Sequence, residues 1–400
     1  MSEADPQLAV AEVQGLYGPF TFSERLLQEI WDRGDFDEQQ LVTPDGRPVV
    51  VVDRGRWNGL AGPDFLQARI RVGDTFKTGD VELHLYAEDW VAHRHAADPA
   101  YRDVCLHVVL FPPAAAHQTI GGDGGVIPVV ALLPVLRHDL EEYAAEDAVE
   151  LMANRGCDQL RERLRESTPA QIHERVVQGA MRRWQRKVHF AKLRIERLGL
   201  AEACHQTAME VLGYRFNRVP MLNLAARHPL AKWSAVSPEA IEVMLIEEHV
   251  NWARGGVRPA NQPRRRLQQY AQWVGACPAW PAELLKAGAR WPRVDLNAAT
   301  RSARSSAGLS VIKSYIADHL CGGALGGTRL DTMICDAMLP LVSAASGRDL
   351  AGLWWHWWPG DWPGFAEAAR AEVGRVMSPF CQGAVQGLID WGLELEGLAT

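Results

Sequence analysis

The strongest constraint on the fold lies between Gly62 and Phe111, where the chain reads GPDFLQARIRV, GDVELHL, EDWVAHRHAADPAY and LHVVLF in succession. Apolar and polar residues alternate there at a period of two, the spacing of strands with one face buried. In GDVELHL, Val81, Leu83 and Leu85 take one face, so Asp80, Glu82 and His84 share the other. The segment Ala87 to His95 is expected to form a short helix that stops before Pro99, and it carries His93 and His95. His107 follows on a strand from Asp103 to Phe111. Acids and imidazoles packed this densely are the donor set of a hydrolytic metal site.

The elements around this block set its context. Phe22 to Arg33 places Phe22, Leu26, Leu27 and Ile30 or Trp31 at helical spacing, with Ser23 placed to cap the start. A β-branched run, GRPVVVVDRG, follows the Asp45-Gly46 turn, and PDFLQARIRV alternates up to a turn at Gly73-Asp74. The expected order is helix, three strands, helix, strand. Beyond about Pro134 the period becomes helical. Thr168-Pro169-Ala170-Gln171 is a capping box with proline at the first helical position, and Ile172, Val176, Ala180, Trp184 and Val188 form one stripe behind it. Further helices are expected at Ala201–Leu212, Pro238–Ala253, Arg264–Val274, Ser310–His319, Leu330–Ala344, Phe365–Val376 and Pro379–Glu394. The Pro- and Trp-rich run from Pro278 to Pro292 reads as an exposed crossing between two helical parts. The expected fold class is α+β: an α/β domain over residues 1–140, a helical domain over 141–277, and a helical C-terminal region over 278–400 that is separate from it or continuous with it.

Composition narrows the function. Apolar content of 47% and charge content of 23% belong to a soluble globular chain. No run approaches the roughly 20 apolar residues of a membrane span. The start, MSEADPQLAVAEV, is acidic and lacks a signal peptide's basic and apolar regions, so a cytoplasmic protein is expected. The seven cysteines are scattered without a CxxC pair, which points away from a zinc knuckle or a disulfide framework. The net charge of −7 opposes indiscriminate nucleic-acid binding, but it is uneven. Arg155 to Arg197 carries twelve Lys and Arg against five Asp and Glu, a local balance of +7 that leaves −14 for the rest. Such a basic stretch suits phosphate contacts or, more simply, a solvated helix surface.

The N-terminal element order resembles the core of the restriction-endonuclease-like, or PD-(D/E)xK, nuclease superfamily: helix, three-stranded meander, helix, strand. Pro63-Asp64 opens the second strand, and Glu82-Leu83-His84 lies on the third, 18 residues later. The resemblance implies that Asp64 and Glu82 hold a divalent ion, Mg²⁺ or Mn²⁺, with zinc ranked below. His84 stands where the superfamily has lysine, in the position that orients or deprotonates the attacking water. A Glu on the first helix often joins such sites, and Glu24 and Glu29 are both candidates. Over nearly its whole length the chain also resembles a bacterial family, domain of unknown function 2851. The run GPDF, GDVELH, DW, H, H, D, Y and LHVV carries that likeness, followed by Leu212-Gly213-Tyr214 with Asn217, Pro220 and Leu224-Ala225. Arg258-Pro259-Ala260-Asn261-Gln262-Pro263 with Arg266-Leu267, and the C-terminal SPFCQGAVQGLID, continue it. A cysteine cluster expected near the C-terminus of many members is missing.

The resulting expectation is a metal-dependent phosphodiester hydrolase acting on nucleic acid, without a membrane partner. Its catalytic residues are Asp64, Glu82 and His84, with Asp80, His93, His95, Asp98, Tyr101 and His107 in supporting or alternative roles. Two residues apart, His93 and His95 share no face of a regular helix, so both can be ligands only if the helix ends between them. His95, Asp98 and Tyr101 are alternatively turn-formers before the fourth strand. Arg258, Asn261, Arg264 and Arg266 form a candidate phosphate-binding loop at a helix start. The competing enzyme reading is a zinc hydrolase drawn from His84, His93, His95 and His107. The competing reading from another class is a binding module on a degenerate nuclease fold. Trp354, Trp355, Trp357, Trp358 and Trp362 are expected in a core before a base-stacking platform.

Overall fold

The computed structural model describes residues 9–114, 117–155, 157–248, 252–253, 255, 257–374 and 376–398. The first eight residues of the acidic N-terminal segment lie outside them, as do residues 249–251 of the helix expected to run to Ala253. The chain divides into two compact units, one up to Asp147 and one from Ala148 onward.

The first unit opens with a hairpin, β1 (Val10–Gly15) and β2 (Gly18–Ser23), that leads directly into α1 (Glu24–Arg33). The Ser23 hydroxyl accepts from the Leu26 N–H, and left-handed Gly34 closes the other end by donating to Ile30 and Trp31 carbonyls. Leu26, Leu27, Ile30 and Trp31 form the buried stripe of α1. Then come β3 (Val49–Asp53), β4 (Arg56–Trp57), β5 (Phe65–Val72) and β6 (Thr75–His84). A helical turn, α2 (Asp89–Ala92), is followed by β7 (Val104–Val109), β8 (Thr119–Ile120), β9 (Val126–Ile127) and β10 (Val129–Ala131). The principal sheet runs β10-β7-β6-β5-β3, with β4 beside β5. β3, β5 and β6 form an antiparallel meander, whereas β7 lies parallel to β6 and β10 parallel to β7.

A parallel neighbour cannot be reached by a tight turn. The connection from β6 to β7 is α2 followed by two 3₁₀ turns, His95–Ala97 and Pro99–Tyr101. The expected helix over Ala87–His95 is thus a single turn. Only Trp90 in it anchors deeply, Val91 is exposed, and Arg94 takes a left-handed conformation that ends the helix. Both faces of β6 are covered. Val81, Leu83 and Leu85 join Leu27, Ile30, Phe65, Leu106 and Val108 in one core, and Glu82 and His84 are also buried on the other face. Close approach to β7 explains Gly79, where a Cβ would stand 2.2 Å from the Asp103 carbonyl oxygen.

The second unit is helical. α3 (Leu140–Arg155) carries the chain into it, followed by α4 (Asp158–Glu166) and the long α5 (Pro169–Arg227). α5 starts at the Thr168–Gln171 capping box and is broken by non-helical backbone at Gly199, Tyr214 and Asn217. Next are α6 (Leu230–Trp233), α7 (Pro238–Glu247), α8 (Pro263–Ala276) and α9 (Trp280–Gly288). α10 (Thr300–Ser306), α11 (Leu309–Tyr315), α12 (Gly327–Met333) and α13 (Leu339–Ser346) follow. α14 (Ala351–His356), α15 (Gly364–Val373) and α16 (Gln382–Leu395) complete it.

The expected exposed crossing over Pro278–Pro292 is instead largely helix, with Trp280, Leu284 and Trp291 buried. Pro281 sits in the first turn of α9, where no intrahelical N–H is needed, so proline opens that helix rather than breaking it. The Trp run packs as a core: Trp354, Trp355 and Trp357 are buried, and the indole N–H groups of Trp354 and Trp357 donate to the Cys335 carbonyl and the Asp331 carboxylate. The basic stretch is spent on helix packing. Arg161 and Arg165 pair with Glu372, Arg182 with Asp390, Arg175 with Glu394, Lys187 with Asp336, and Arg194 with Glu210. Among the described residues no helix is long and apolar enough to cross a membrane.

Candidate metal centre

The site is assembled in the first unit from the ends of α1, β5, β6 and β7 and from the β6–β7 connection. The backbone N–H of Asp64, the residue just before β5, donates to Glu82 Oε2 at 3.1 Å, and Asp64 Oδ2 accepts the Leu83 N–H at 2.9 Å. Asp64 Oδ1 accepts from the Gln28 side chain of α1 at 2.7 Å. Both Asp64 oxygens are therefore engaged, and it is the Asp64 backbone N–H that holds Glu82 Oε2. The other Glu82 oxygen, Oε1, faces the imidazoles, 3.3 Å from His95 Nε2 and 3.6 Å from His84 Nε2.

His84 is the hub of those imidazoles. Its Nε2 lies 3.2 Å from His93 Nδ1 and 3.2 Å from His95 Nε2, while its Nδ1 lies 2.9 Å from His107 Nε2. Two nitrogens bound to one tetrahedral zinc ion at 2.0–2.1 Å are about 3.4 Å apart. Of the six edges joining His84, His93, His95 and Glu82 Oε1, the three from His84 and the one from His95 to Glu82 lie at 3.2–3.6 Å, and the three histidine donors lie within 4.8 Å of one another. His93 and His95 converge because the helix does end between them, at left-handed Arg94. The donor set thus fits a divalent ion with mixed nitrogen and oxygen coordination.

A second layer orients the first. His107 Nδ1 is 2.9 Å from Thr119 Oγ1, whose hydroxyl is in turn 3.3 Å from His117 Nε2. With His107 engaged on both ring nitrogens, His84 Nδ1 is taken up and its Nε2 is left to face His93, His95 and Glu82. The Tyr101 ring packs on His95 with centroids 3.8 Å apart, Trp90 stands against His95 and His107, and Asp98 caps the 3₁₀ turn by accepting from the Ala100 N–H.

Burial strips this site of charge. Desolvation, reinforced by the Asp64 carboxylate, lifts Glu24 to about 8; desolvation and Glu82 lift Asp64 to about 8; and desolvation lifts Glu82 to about 8. Desolvation and the neighbouring rings hold His84 down to about 2 and His107 to about 3, and burial also lowers His95. Without a cation the acids stay protonated and the imidazoles neutral at pH 7. One oxygen of buried Glu24, Oε1, has no hydrogen-bond partner.

The structure separates the sequence candidates. Of the two helix acids, Glu24 belongs to the site, whereas Glu29 pairs with Arg25 and Arg33 along α1. Asp80 is not brought to the cluster with Glu82 and His84. A bulge in β5, where Gln67 is left-handed, turns Asp80 to accept the Gln67 N–H at 3.0 Å. In the second unit Arg264 pairs with Glu242, Arg266 donates to Asn261 and Gln269, and Arg258 precedes the 3₁₀ turn Pro259–Asn261. Gln28 and Thr119 escaped the sequence reading. Gln28 had a signal, since it follows Glu24 by four residues on one helix face; Thr119, on a two-residue strand, had none.

No curated protein and no solved structure matches the chain. A family model described as "Protein of unknown function (DUF2851)" matches residues 24–247, which include every residue of this centre. That match covers more than half of the 400 residues, and the chain belongs to this family.

Proposed function

We propose that the first unit is a metal-dependent hydrolase of phosphodiesters, with nucleic acid as substrate. The observation that carries the metal is the convergence of His84 Nε2, His93 Nδ1, His95 Nε2 and Glu82 Oε1 at the spacing of ligands on one ion. What supports a restriction-endonuclease-like reading is the strand order around it, a meander followed by a parallel strand, together with Glu24 on the first helix and Asp64 at the opening of β5. Three imidazoles among four donors favour a borderline ion, Zn²⁺ or Mn²⁺, over Mg²⁺, which prefers oxygen.

An ion held by His84, His93, His95 and Glu82 would supply Lewis acidity toward a phosphoryl oxygen and a water. The chain's residues do the rest. His107 and Thr119 fix the His84 ring, the Asp64 backbone N–H holds Glu82 while Gln28 holds the Asp64 carboxyl, and Tyr101 and Trp90 pack on His95. Glu24, with one unpartnered oxygen and a carboxyl raised to about 8, is suited to exchange a proton at Oε1 near neutral pH.

Titration of the metal-stripped chain with Co²⁺ tests this reading, because tetrahedral Co²⁺ gives strong visible absorption. His93→Ala, at an exposed residue that the core does not need, is expected to weaken binding by about 10- to 100-fold. Unchanged binding in His93→Ala and in His95→Ala, or no binding by the parent chain, overturns the metal centre. Incubation with single-stranded, duplex and branched DNA and RNA plus Mn²⁺ or Zn²⁺ then tests the activity. Cleavage lost in Glu82→Gln supports a hydrolase; metal binding without any cleavage replaces it with a binding module.

A further inference from the structure

The hydroxyl of Thr119 stands between two histidine rings that lie outside the four-donor set. It is 2.9 Å from His107 Nδ1 and 3.3 Å from His117 Nε2, and His107 Nε2 is 2.9 Å from His84 Nδ1. The four side chains form one continuous row, from half-buried His117 through buried Thr119 and His107 to His84. At its inner end His84 Nε2 faces His93, His95 and Glu82. The fold holds the row in place. β8 opens at Thr119 and pairs it with Ile127 of β9, and the Trp90 indole donates to the next carbonyl, that of Ile120, at 3.0 Å. The β8–β9 turn lies against the connection that carries His95, since a Cβ on Gly122 would stand 2.6 Å from the Ala96 carbonyl oxygen.

Hydrogens in this row are few enough to give it a direction. A neutral imidazole has one N–H and one lone pair, and a hydroxyl has a single hydrogen. Burial keeps His84 and His107 neutral at pH 7. Thr119 therefore donates to one of its two rings and accepts from the other. In one direction His84 Nδ1 donates to His107, His107 Nδ1 donates to Thr119, and Thr119 donates to His117 Nε2. In the other direction every bond reverses. His117 Nε2 then donates to Thr119, Thr119 donates to His107 Nδ1, and His107 Nε2 donates to His84 Nδ1. Each neutral ring keeps one hydrogen throughout, on Nδ1 in the first direction and on Nε2 in the second.

We propose that His117 is a positioning residue of the metal centre, the outer end of a relay that couples an ion at His84 Nε2 to the place of the hydrogen on His117. An ion needs the His84 Nε2 lone pair and so imposes the first direction, which leaves the His117 hydrogen on Nδ1. A hydrogen on His117 Nε2 imposes the second direction, which puts the His84 hydrogen on Nε2 and closes that nitrogen to the ion. The coupling is reciprocal, because the same hydrogen bonds carry it both ways. This inference rests on the metal-centre reading and gives that centre an input from a side chain that makes no hydrogen bond to its four donors.

Imidazole nitrogen spectroscopy of the full chain, metal-free and loaded with Zn²⁺ alone, tests it. In the metal-free chain the His117 hydrogen is expected on both nitrogens in turn, and Zn²⁺ is expected to move it, with those of His84 and His107, to Nδ1. Thr119→Val severs the row. It is expected to lower Zn²⁺ affinity about tenfold and to abolish the His117 response, and Thr119→Ser is expected to restore both. His117→Phe, at a half-buried position, removes only the acceptor of the Thr119 hydroxyl, and several-fold weaker Zn²⁺ binding is expected. His117 nitrogen signals that do not respond in a chain that binds Zn²⁺ overturn the relay and leave the centre standing. Affinity unchanged in both Thr119→Val and His117→Phe does the same, whereas a parent chain that binds no Zn²⁺ overturns relay and centre together.

Discussion

At the scale of single residues, the structure settles choices that periodicity leaves open. Glu24 and Glu29 are both acids on one predicted helix, five residues apart and therefore on different faces; only the packing of α1 against the sheet decides that Glu24 is buried while Glu29 pairs with arginines. Asp80 illustrates the opposite case. Strand alternation groups it with Glu82, but alternation assumes an unbroken strand pairing, and the bulge opposite Asp80 breaks that assumption. A residue in the helical unit offers a pH test away from the proposed metal centre. His205 Nε2 faces the His228 carbonyl at 3.0 Å, which can only accept, so Nε2 carries the proton and Nδ1 accepts from the Tyr270 hydroxyl at 2.6 Å. Burial holds its pKa down to about 4, so His205 stays neutral in the fold where the unfolded chain becomes charged. Its stabilising contribution is complete above about pH 6.5 and is lost as pH falls toward 4. Between pH 6.5 and 5 the loss is on the order of 2 kcal/mol. Imidazole nitrogen shifts that still report neutral His205 at pH 5 would agree; titration near 6.5 would refute it.

At the scale of elements, the legible parts were those whose buried face repeats. α1, β5 and β6 carry apolar residues at one clean period, β3 and β7 carry near-continuous apolar runs, and all five stand close to where the sequence puts them. The β1–β2 hairpin, β10 and the β8–β9 pair were not legible, since short strands present too few residues for a period to register. The Trp- and Pro-rich α9 departs from the expected crossing because its prolines' effect depends on position, and Pro281 opens the helix. The turn after α2 decides most about the site. A left-handed backbone at a non-glycine residue costs about 1 kcal/mol, and Arg94 bears that cost between His93 and His95. Arg94→Gly is therefore expected to keep metal affinity while changing stability by no more than about 1 kcal/mol, most simply upward. Arg94→Val, whose branched side chain resists that conformation, is expected to separate His93 from His95 and weaken Co²⁺ binding by tenfold or more. Equal affinity in the two variants would show that the turn does not set the site.

At the scale of the molecule, the two units differ in how far along the chain their contacts reach. Hydrogen exchange with and without metal checks their assignment: slower exchange is expected in β6, in β7 and in the turn between them. Slowing spread evenly over the second unit would refute the assignment. The ion pairs of the basic stretch carry a consequence of another kind. Arg165 meets Glu372, 207 positions later; Arg182 meets Asp390, 208 later; and Arg175 meets Glu394, 219 later. At a synthesis rate of 5–20 residues per second, the first arginines wait roughly 10 to 40 s for their partners to be made. During that interval the N-terminal sheet can complete its own pairing, while the early helices of the second unit still lack the last helix that covers them. A ribosome-bound chain stopped before residue 380 should therefore yield a protease-resistant N-terminal fragment and a digestible helical remainder.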